Sequence, residues 1–261
     1  MSAPRPTRSI QFSIVIACRN VERTLDATLQ SLRAQSCQDF EVIIIDACST
    51  DRTLEIIRHH GDLIDHLISE PDDGIYDAWN KGIGLARGHH ICFVGGDDTL
   101  LPDALGSLHK AAKANPDAHL ICGKSRLVSD TGVVLQTLHS RWDWQHFRHH
   151  MCIVHVGAAH ARALFSEYGH FDQAYKITGD YELLLRAGPN LRCVAIDDCI
   201  ANMTYGGASS MRYQALWEAY RCKTLHRAIT RPAAIIDLLT ASLKLSIRKR
   251  YYGFKGSMAT R

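Results

Sequence analysis

Short β-branched apolar runs alternate with segments of helical periodicity over the first part of this chain. Residues 12–17 and 41–45 are apolar at nearly every position, which is typical of strands buried on both faces of a sheet. Between them, leucines at positions 25, 29 and 32 have the spacing of an amphipathic helix. A strand, helix, strand unit of this kind packs into a parallel sheet, so the sequence predicts an α/β fold.

The alternation continues beyond this unit and then changes. We predict helices from Asp51, over 75–83 and near 102–113, and a strand at 91–94. Farther along, apolar runs at 120–122 and 133–135 are separated by the turn residues 130–132. The second half is therefore expected to be mixed and built onto the same sheet, with a loop at 141–150.

Composition excludes several protein classes. The nine cysteines are scattered without a Cys-x-x-Cys pair, which argues against a disulfide framework and a structural zinc site. The formal net charge of +3 is too small to indicate a nucleic-acid partner. Neither a secretory signal nor an apolar run of roughly 20 residues is found, so a cytoplasmic location is expected.

Carboxylates follow two of the predicted strands. Asp97 and Asp98 come after the strand at 91–94 and two glycines, and Asp46 closes the strand at 41–45. Ligands of open α/β sheets bind beyond the carboxyl ends of the strands. We expect the acidic pair to hold a divalent cation that bridges the phosphates of a diphosphate ligand. The alternative is a turn with a helix cap, and for Asp46 a solvated side chain.

Four motifs occur in an order that resembles the family 2 glycosyltransferases. They are the strand at 13–16 with Asn20 and Glu22, the polar turn at 46–51, Asn80-Lys81-Gly82, and Gly95-Gly96-Asp97-Asp98. The similarity is strong over about the first 110 residues. Residues 70–82 are similar to the subgroup active in bacterial exopolysaccharide and colanic-acid-type assembly.

The resemblance implies a fold and an activity. The fold would be GT-A, an α/β Rossmann-like arrangement with a mostly parallel central sheet and a C-terminal helical appendage. The activity would be inverting transfer from a nucleotide-sugar, with UDP expected from family frequency, to a carbohydrate or lipid-linked acceptor in polysaccharide biosynthesis. The implied cofactor is Mn²⁺ or Mg²⁺.

Site residues follow from the same resemblance. Those expected to bind the donor are Ala17, Asn20, Glu22, Asp46, Ser49, Lys81, Gly96 and Asp97. Those expected at the metal are Asp97 and Asp98, with His155 as a further candidate. Gly95 stands where family members commonly carry Asp or Asn, which predicts weakened metal affinity. Lys81 and His155 have ordinary alternatives, a solvated helix lysine and a structural histidine.

Asp180 resembles the aspartate that serves as general base at the start of a helix in this family. An acceptor hydroxyl must lose its proton as it attacks the anomeric carbon, and a carboxylate within hydrogen-bond reach can take it. Capping of the same helix by Asp180 is the alternative. Residues 205–209 resemble a glycine-rich loop that closes over the donor, or else form a simple turn.

The expected domain organisation is a GT-A domain over 1–225, with a nucleotide-sugar half at about 10–115 and an acceptor half at about 116–225. Residues 226–261 are expected to form an amphipathic basic helix and tail, with Ile236, Leu239, Leu243 and Ile247 on one face. Such a helix can lie on the anionic inner face of the plasma membrane, or pack on the core or in a dimer.

Two other functions stay open at this point. A sugar nucleotidyltransferase also places acids near a metal, but it should carry a glycine-rich basic loop after the first strand, which residues 18–21 do not supply. A degenerate transferase that binds a nucleotide-sugar without turnover is suggested by Gly95 and the basic tail. The product of an activity assay distinguishes all three.

Overall fold

A nine-stranded sheet forms the centre of the computed structural model, which describes residues 10–206 and 213–258 and the side chains as far as residue 247. The strands are β1 Phe12–Cys18, β2 Phe40–Asp46, β3 His66–Ser69, β4 His90–Gly95, β5 Thr99–Leu100, β6 Leu120–Val128, β7 Val134–Leu138, β8 Ala159–Ala161 and β9 Cys193–Thr204. Their order is β3-β2-β1-β4-β8-β6-β9-β5, with β7 added to β6.

Helices cover the sheet and extend beyond it. They are α1 Leu25–Arg33, α2 Thr53–His59, α3 Ile75–Leu85, α4 Ala104–Ala114, α5 Trp144–Phe147, α6 Arg162–Tyr168, α7 Gly179–Ala187, α8 Tyr213–Leu225 and α9 Arg231–Met258. The helices predicted from residues 51, 75 and 102 are confirmed to within a few residues. The predicted loop at 141–150 is wrong in part, because Asp143 caps α5 and Phe147 is fully buried.

The parallel half of the sheet brings the predicted site residues to one edge. Strand β1 lies between β2 and β4 and is parallel to both. Cys18 pairs with Asp46 on one side, and Ala17 pairs with Gly95 on the other. Neighbouring strands lie about 4.8 Å apart, so the loops that follow β2 and β4 are separated by only one strand.

Alternate side chains of the central strands enter two separate cores, one on each face. Val15, Ile43 and Phe93 belong to one apolar cluster. Ile14 and Ile44 belong to the other, on the opposite face. This double burial explains why the sequence showed nearly continuous apolar runs, and the predicted α/β class is confirmed.

The last helix presents an exposed apolar stripe. Ile236, Leu239, Leu243 and Ile247 are between 60% and 64% exposed. The stripe itself therefore does not pack on the core within the described part of the chain, whereas another face of the helix does pack: α9 contacts α8, and Ala234 is fully buried. No helix in the described ranges combines the length and the apolar character needed to cross a bilayer.

Gly82 of the Asn80-Lys81-Gly82 motif permits close packing of α3 on β1. A Cβ atom at this position would lie 2.3 Å from Cγ1 of buried Val15. We expect Gly82→Ala to lower the free energy of unfolding by about 1–3 kcal/mol, because the core has no room for the methyl group. The measurement is urea unfolding, with Gly84→Ala as control, since a Cβ there meets nothing within 4 Å. Equal stability of the two variants would contradict this packing.

Candidate active site

The acidic pair lies in a turn directly after β4, and its carboxylates converge on Gly95. A Cβ atom at Gly95 would lie 2.7 Å from Oδ1 of Asp97 and 2.9 Å from Oδ2 of Asp98. Any side chain at this position would displace one of the carboxylates. Gly95 therefore provides the space in which both acids face the same point.

Strand β9 holds this acidic turn in place. The backbone N–H of Thr204 donates to Oδ1 of Asp98 at 3.1 Å, and the Thr204 hydroxyl donates to the carbonyl of Asp97. Asp98 is only 8% exposed. Burial, followed by the negative charge of Asp97, raises the pKa of Asp98 to about 7. A nearby positive charge would therefore stabilise the ionised form of the Asp98 carboxylate.

Asp180 lies in the first turn of α7, where its Oδ1 accepts two hydrogen bonds. The donors are the Tyr181 backbone N–H at 2.9 Å and the Tyr76 hydroxyl at 3.2 Å. Burial raises the pKa of Asp180 to about 6 in spite of these bonds. Thr178, not Asp180, occupies the N-cap position, but the Asp180 carboxylate does accept a first-turn N–H of α7, as the capping alternative expected.

One cavity of about 640 Å³ unites these groups. Its lining includes Asp97, Asp98 and Asp180, together with Trp79 and His155. The volume lies within the range of small-molecule sites. Acids that are more than 80 positions apart in the sequence therefore face one space, as a metal-diphosphate site and an acceptor base would require.

The donor set of the acidic pair fits a divalent cation. Mg²⁺-type sites commonly use one or two protein carboxylates and complete their shell with substrate phosphates and water. Asp97 and Asp98 offer two hard oxygen ligands near one point. No group of three or more His, Cys, Asp or Glu side chains in the described ranges is placed to hold a metal ion. The arrangement thus fits a cation shared with a diphosphate rather than an all-protein cage.

His155 forms part of the aromatic wall of the cavity. Its ring stacks on Trp79 at a centroid distance of 4.9 Å and on Phe93 at 5.6 Å. Burial lowers the pKa of His155 to about 3, so the imidazole is neutral. Its Nε2 has no hydrogen-bond partner among the described residues. The ring is both a structural element and a wall of the site.

The residues predicted for the nucleoside pocket form a hydrogen-bonded network beside this cavity. Asp46 is fully buried and accepts from the hydroxyls of Ser49 and Ser69 and from the Ser49 backbone N–H. The Asn20 backbone N–H donates to Ser49 Oγ at 2.8 Å, and Glu22 accepts from a backbone N–H of the same turn. The structure therefore brings these side chains together and uses their bonds to join the loops after β1 and β2.

The remaining predicted donor residues occupy different positions. The Lys81 ammonium contacts Glu70 at 2.8 Å and Asp77 at 3.2 Å, outside the lining of the cavity. A Cβ at Gly96 would meet Val21 at 3.0 Å, so this glycine packs the acidic turn on the β1–α1 loop. Ala17 is the penultimate residue of β1 and pairs with Gly95 of β4. Of the predicted glycine-rich loop, positions 207–209 lie outside the described residues.

Sequence reasoning missed Glu218, which fixes the start of α7 from a different helix. Its carboxylate accepts from the backbone N–H groups of Lys176, Ile177 and Thr178 at 2.8–3.1 Å. Its charge also contributes to the raised pKa of Asp180. Glu218 follows Asp180 by a long stretch of chain and belongs to no motif, so no sequence signal could have identified it.

If Asp180 acts as the predicted base, we expect Glu218→Gln to lower kcat by about tenfold, because misplacement of such a group by a fraction of an ångström is costly. The acid limb of the pH profile should shift to lower pH, since removal of a negative charge lowers the pKa of Asp180. The measurement is kcat against pH, with Glu55→Gln at an exposed position of α2 as control. A reduced kcat without a shift of the acid limb would contradict the electrostatic part of this role.

Comparisons with known proteins identify the family of this chain. The family model for Glycosyl transferase family 2 matches residues 13–167. A PGL/p-HBAD biosynthesis glycosyltransferase of Mycobacterium bovis is 31% identical over 189 residues, covering 69% of this chain and 70% of the relative. The amylovoran biosynthesis glycosyltransferase AmsB of Erwinia amylovora is 27% identical over 243 residues, covering 80% of this chain and 77% of the relative.

Solved structures show the same fold at low sequence identity. TarS 1-349 of S. aureus in complex with UDP-GlcNAc has a TM-score of 0.68 and 18% identity, covering 87% of this chain and 70% of that chain. The mannosyltransferase PcManGT of Pyrobaculum calidifontis in complex with GDP-Man and Mn²⁺ has a TM-score of 0.62 and 16% identity, covering 99% of this chain and 83% of that chain.

Proposed function

Because the chain belongs to glycosyl transferase family 2 and has the GT-A fold, we propose that it transfers a sugar from a nucleotide-diphosphate sugar to an acceptor hydroxyl with inversion at the anomeric carbon. The observation that carries this proposal is the single cavity lined by Asp97, Asp98 and Asp180. Inversion needs the leaving diphosphate and the entering hydroxyl on opposite faces of the sugar. Asp97 and Asp98 would serve the leaving diphosphate, and Asp180 would serve the entering hydroxyl.

Asp180 is the proposed general base. Its Oδ1 is held by Tyr181 and Tyr76, and Oδ2 is the oxygen proposed to accept the proton of the acceptor hydroxyl. A pKa raised to about 6 keeps the carboxylate ionised at neutral pH while making it a better base than an ordinary aspartate. The general base thus has a fixed orientation and a matched pKa.

Asp97 and Asp98 are the proposed ligands of Mn²⁺ or Mg²⁺. A bound cation would supply positive charge that stabilises the departing diphosphate. Thr204 orients Asp98 through its backbone N–H, and Gly95 leaves room for both carboxylates. The network of Asn20, Ser49 and Asp46 shapes the edge where the nucleoside of the donor is proposed to bind.

UDP is the proposed donor nucleotide, and a hexose or acetylhexosamine is the proposed sugar. TarS, which shares the fold, was crystallised with UDP-GlcNAc, whereas PcManGT was crystallised with GDP-Man. A thermal-shift panel of UDP-, GDP- and dTDP-sugars, with and without Mn²⁺, tests the choice. The proposal requires Mn²⁺-dependent stabilisation by a UDP-sugar and release of UDP. Absence of stabilisation and of nucleotide release with every donor would refute it.

Peripheral contact with an anionic membrane is proposed for α9, beside a lipid-linked acceptor in polysaccharide assembly. Support comes from the exposed stripe of Ile236, Leu239, Leu243 and Ile247 and from the basic residues at 244 and 248–250 of the sequence. Cosedimentation with phosphatidylserine vesicles, but not with purely zwitterionic vesicles, is the expected result. Binding to neither kind of vesicle, or equal binding to both, would refute the electrostatic contact.

A further inference from the structure

A second cavity, of about 340 Å³, lies between α7, α8 and α9. Met151, Ile177 and Asp180 line this cavity and also line the larger one described above. The two spaces therefore share a wall at the proposed general base. A molecule in the second cavity can place a hydroxyl at Asp180 while the donor occupies the first.

Most of the lining of the second cavity is apolar. Small side chains on the facing surfaces of α8 and α9 leave the space open, and larger apolar side chains close its sides. The alanines are Ala215, Ala219, Ala234 and Ala241, and the larger apolar residues include Leu216 and Leu238. A cavity of this kind binds an apolar group by removing its surface from water.

Apart from Asp180, the acidic and basic groups Lys223, Asp237 and His149 of the second cavity are paired with one another. The Lys223 ammonium contacts Asp237 at 2.9 Å, and His149 Nδ1 contacts the same carboxylate oxygen at 3.0 Å. Lys223 is only 5% exposed. Since its charge is already compensated, the cavity offers little to an anionic or strongly polar ligand. His149, which belongs to no sequence motif, is a half-buried member of this cluster.

We propose that the acceptor is an amphipathic alcohol or phenol whose hydroxyl-bearing end lies at Asp180 and whose alkyl or aromatic portion occupies the cavity between α7, α8 and α9. The inference rests on the proposed function and specifies its acceptor. A wholly hydrophilic sugar would leave the apolar lining exposed to water and would gain nothing from it. The apolar portion of the acceptor is therefore recognised by α8 and α9 rather than by the sheet.

Octyl and methyl β-D-glucopyranoside, which share a head group and differ in the alkyl chain, provide the test. We expect the octyl compound to bind at least about tenfold more tightly by calorimetry in the presence of UDP and Mn²⁺, since burial of about two methylenes suffices for that ratio. Ala241→Leu and Ala219→Leu, which fill the cavity, should each abolish the preference. Thr240→Leu adds similar bulk at an exposed position of α9 and should retain it.

Two results would overturn the inference: equal affinity of the wild-type protein for both glucosides, or an octyl preference that survives both filling variants. The second result would mean that the chain binds elsewhere, for example on the exposed stripe of α9. Melting temperature and UDP binding verify that each variant is folded. Failure of the proposed function is distinguishable, because it would appear as absence of UDP release with every donor, whatever the glucosides do.

Discussion

Replacement of Asp180 by Asn is expected to lower kcat by about 10²–10⁴-fold while donor affinity changes by less than about twofold. The substitution preserves shape and the acceptor oxygen for the Tyr181 N–H, but it removes the group that takes the proton. Since the donor is bound by other residues, its affinity should persist. Transfer rates and calorimetric UDP binding on the same preparations measure the two effects.

Asp172→Asn is a matched control for this variant. It lies in the same segment, and its Oδ1 accepts from the Ala174 backbone N–H, a bond that Asn can preserve. Its activity should equal that of the wild-type protein. Unchanged turnover in Asp180→Asn would remove the assignment of the general base, and loss of donor binding would indicate a structural role instead.

The pH profile of the wild-type protein should reflect the same group. Because the base must be ionised and its pKa is raised to about 6, kcat should fall as pH decreases through about 6. Tyr76 donates to Asp180 and lowers its pKa, so Tyr76→Phe should move this acid limb to higher pH. The opposite displacement would contradict the hydrogen bond.

Asp98→Asn is expected to abolish Mn²⁺-dependent donor binding and, at the same time, to raise the melting temperature of the metal-free protein at pH 8. The pKa of Asp98 is raised from 3.8 to about 7 in the folded protein. As pH rises, the Asp98 carboxyl therefore ionises at a lower pH in the unfolded chain than in the folded protein. The wild-type protein loses stability between about pH 4 and 7 as a result. Above pH 7 the full cost of the buried charge is present.

The size of this effect follows from the pKa shift. One unit corresponds to about 1.4 kcal/mol, so the shift of Asp98 corresponds to at most about 4 kcal/mol. We expect Asp98→Asn to gain about 2 kcal/mol at pH 8 and nothing near pH 4, because the amide can accept from Thr204 without a charge. Thermal melts in EDTA at both pH values measure it. If Asp98→Asn were less stable than the wild-type protein at pH 8, burial of the Asp98 charge would not be destabilising, and this explanation would be wrong.

The sequence was sufficient to predict the parallel strands and the edge at which the acids meet. Both follow from local patterns, namely continuous apolar runs and carboxylates directly after them. It was insufficient where the relevant contacts are between distant segments. Glu218 caps α7 from α8, and Gly82 is explained only by its approach to Val15. Neither leaves a periodic signal.

The two other shortcomings have related causes. A single turn such as α5 is too short for helical periodicity, so burial of Phe147 was not foreseen. The sequence predicts Asn20, Asp46 and Ser49 individually as nucleoside-pocket residues, but it does not predict the bonds among them or the left-handed backbone at Asn20, with φ of 53°. Asn20 is close to the other two residues in space but distant from them in the sequence, so the sequence does not show the contacts.

A crystal structure of the wild-type protein with a UDP-sugar and Mn²⁺, with anomalous data that identify manganese, tests the central claim most directly. We expect the manganese within about 2.0–2.6 Å of a carboxylate oxygen of Asp97 or Asp98, bound to the diphosphate, with Asp180 on the opposite face of the anomeric carbon. Manganese and nucleotide bound away from the cavity that these three acids share would contradict the account.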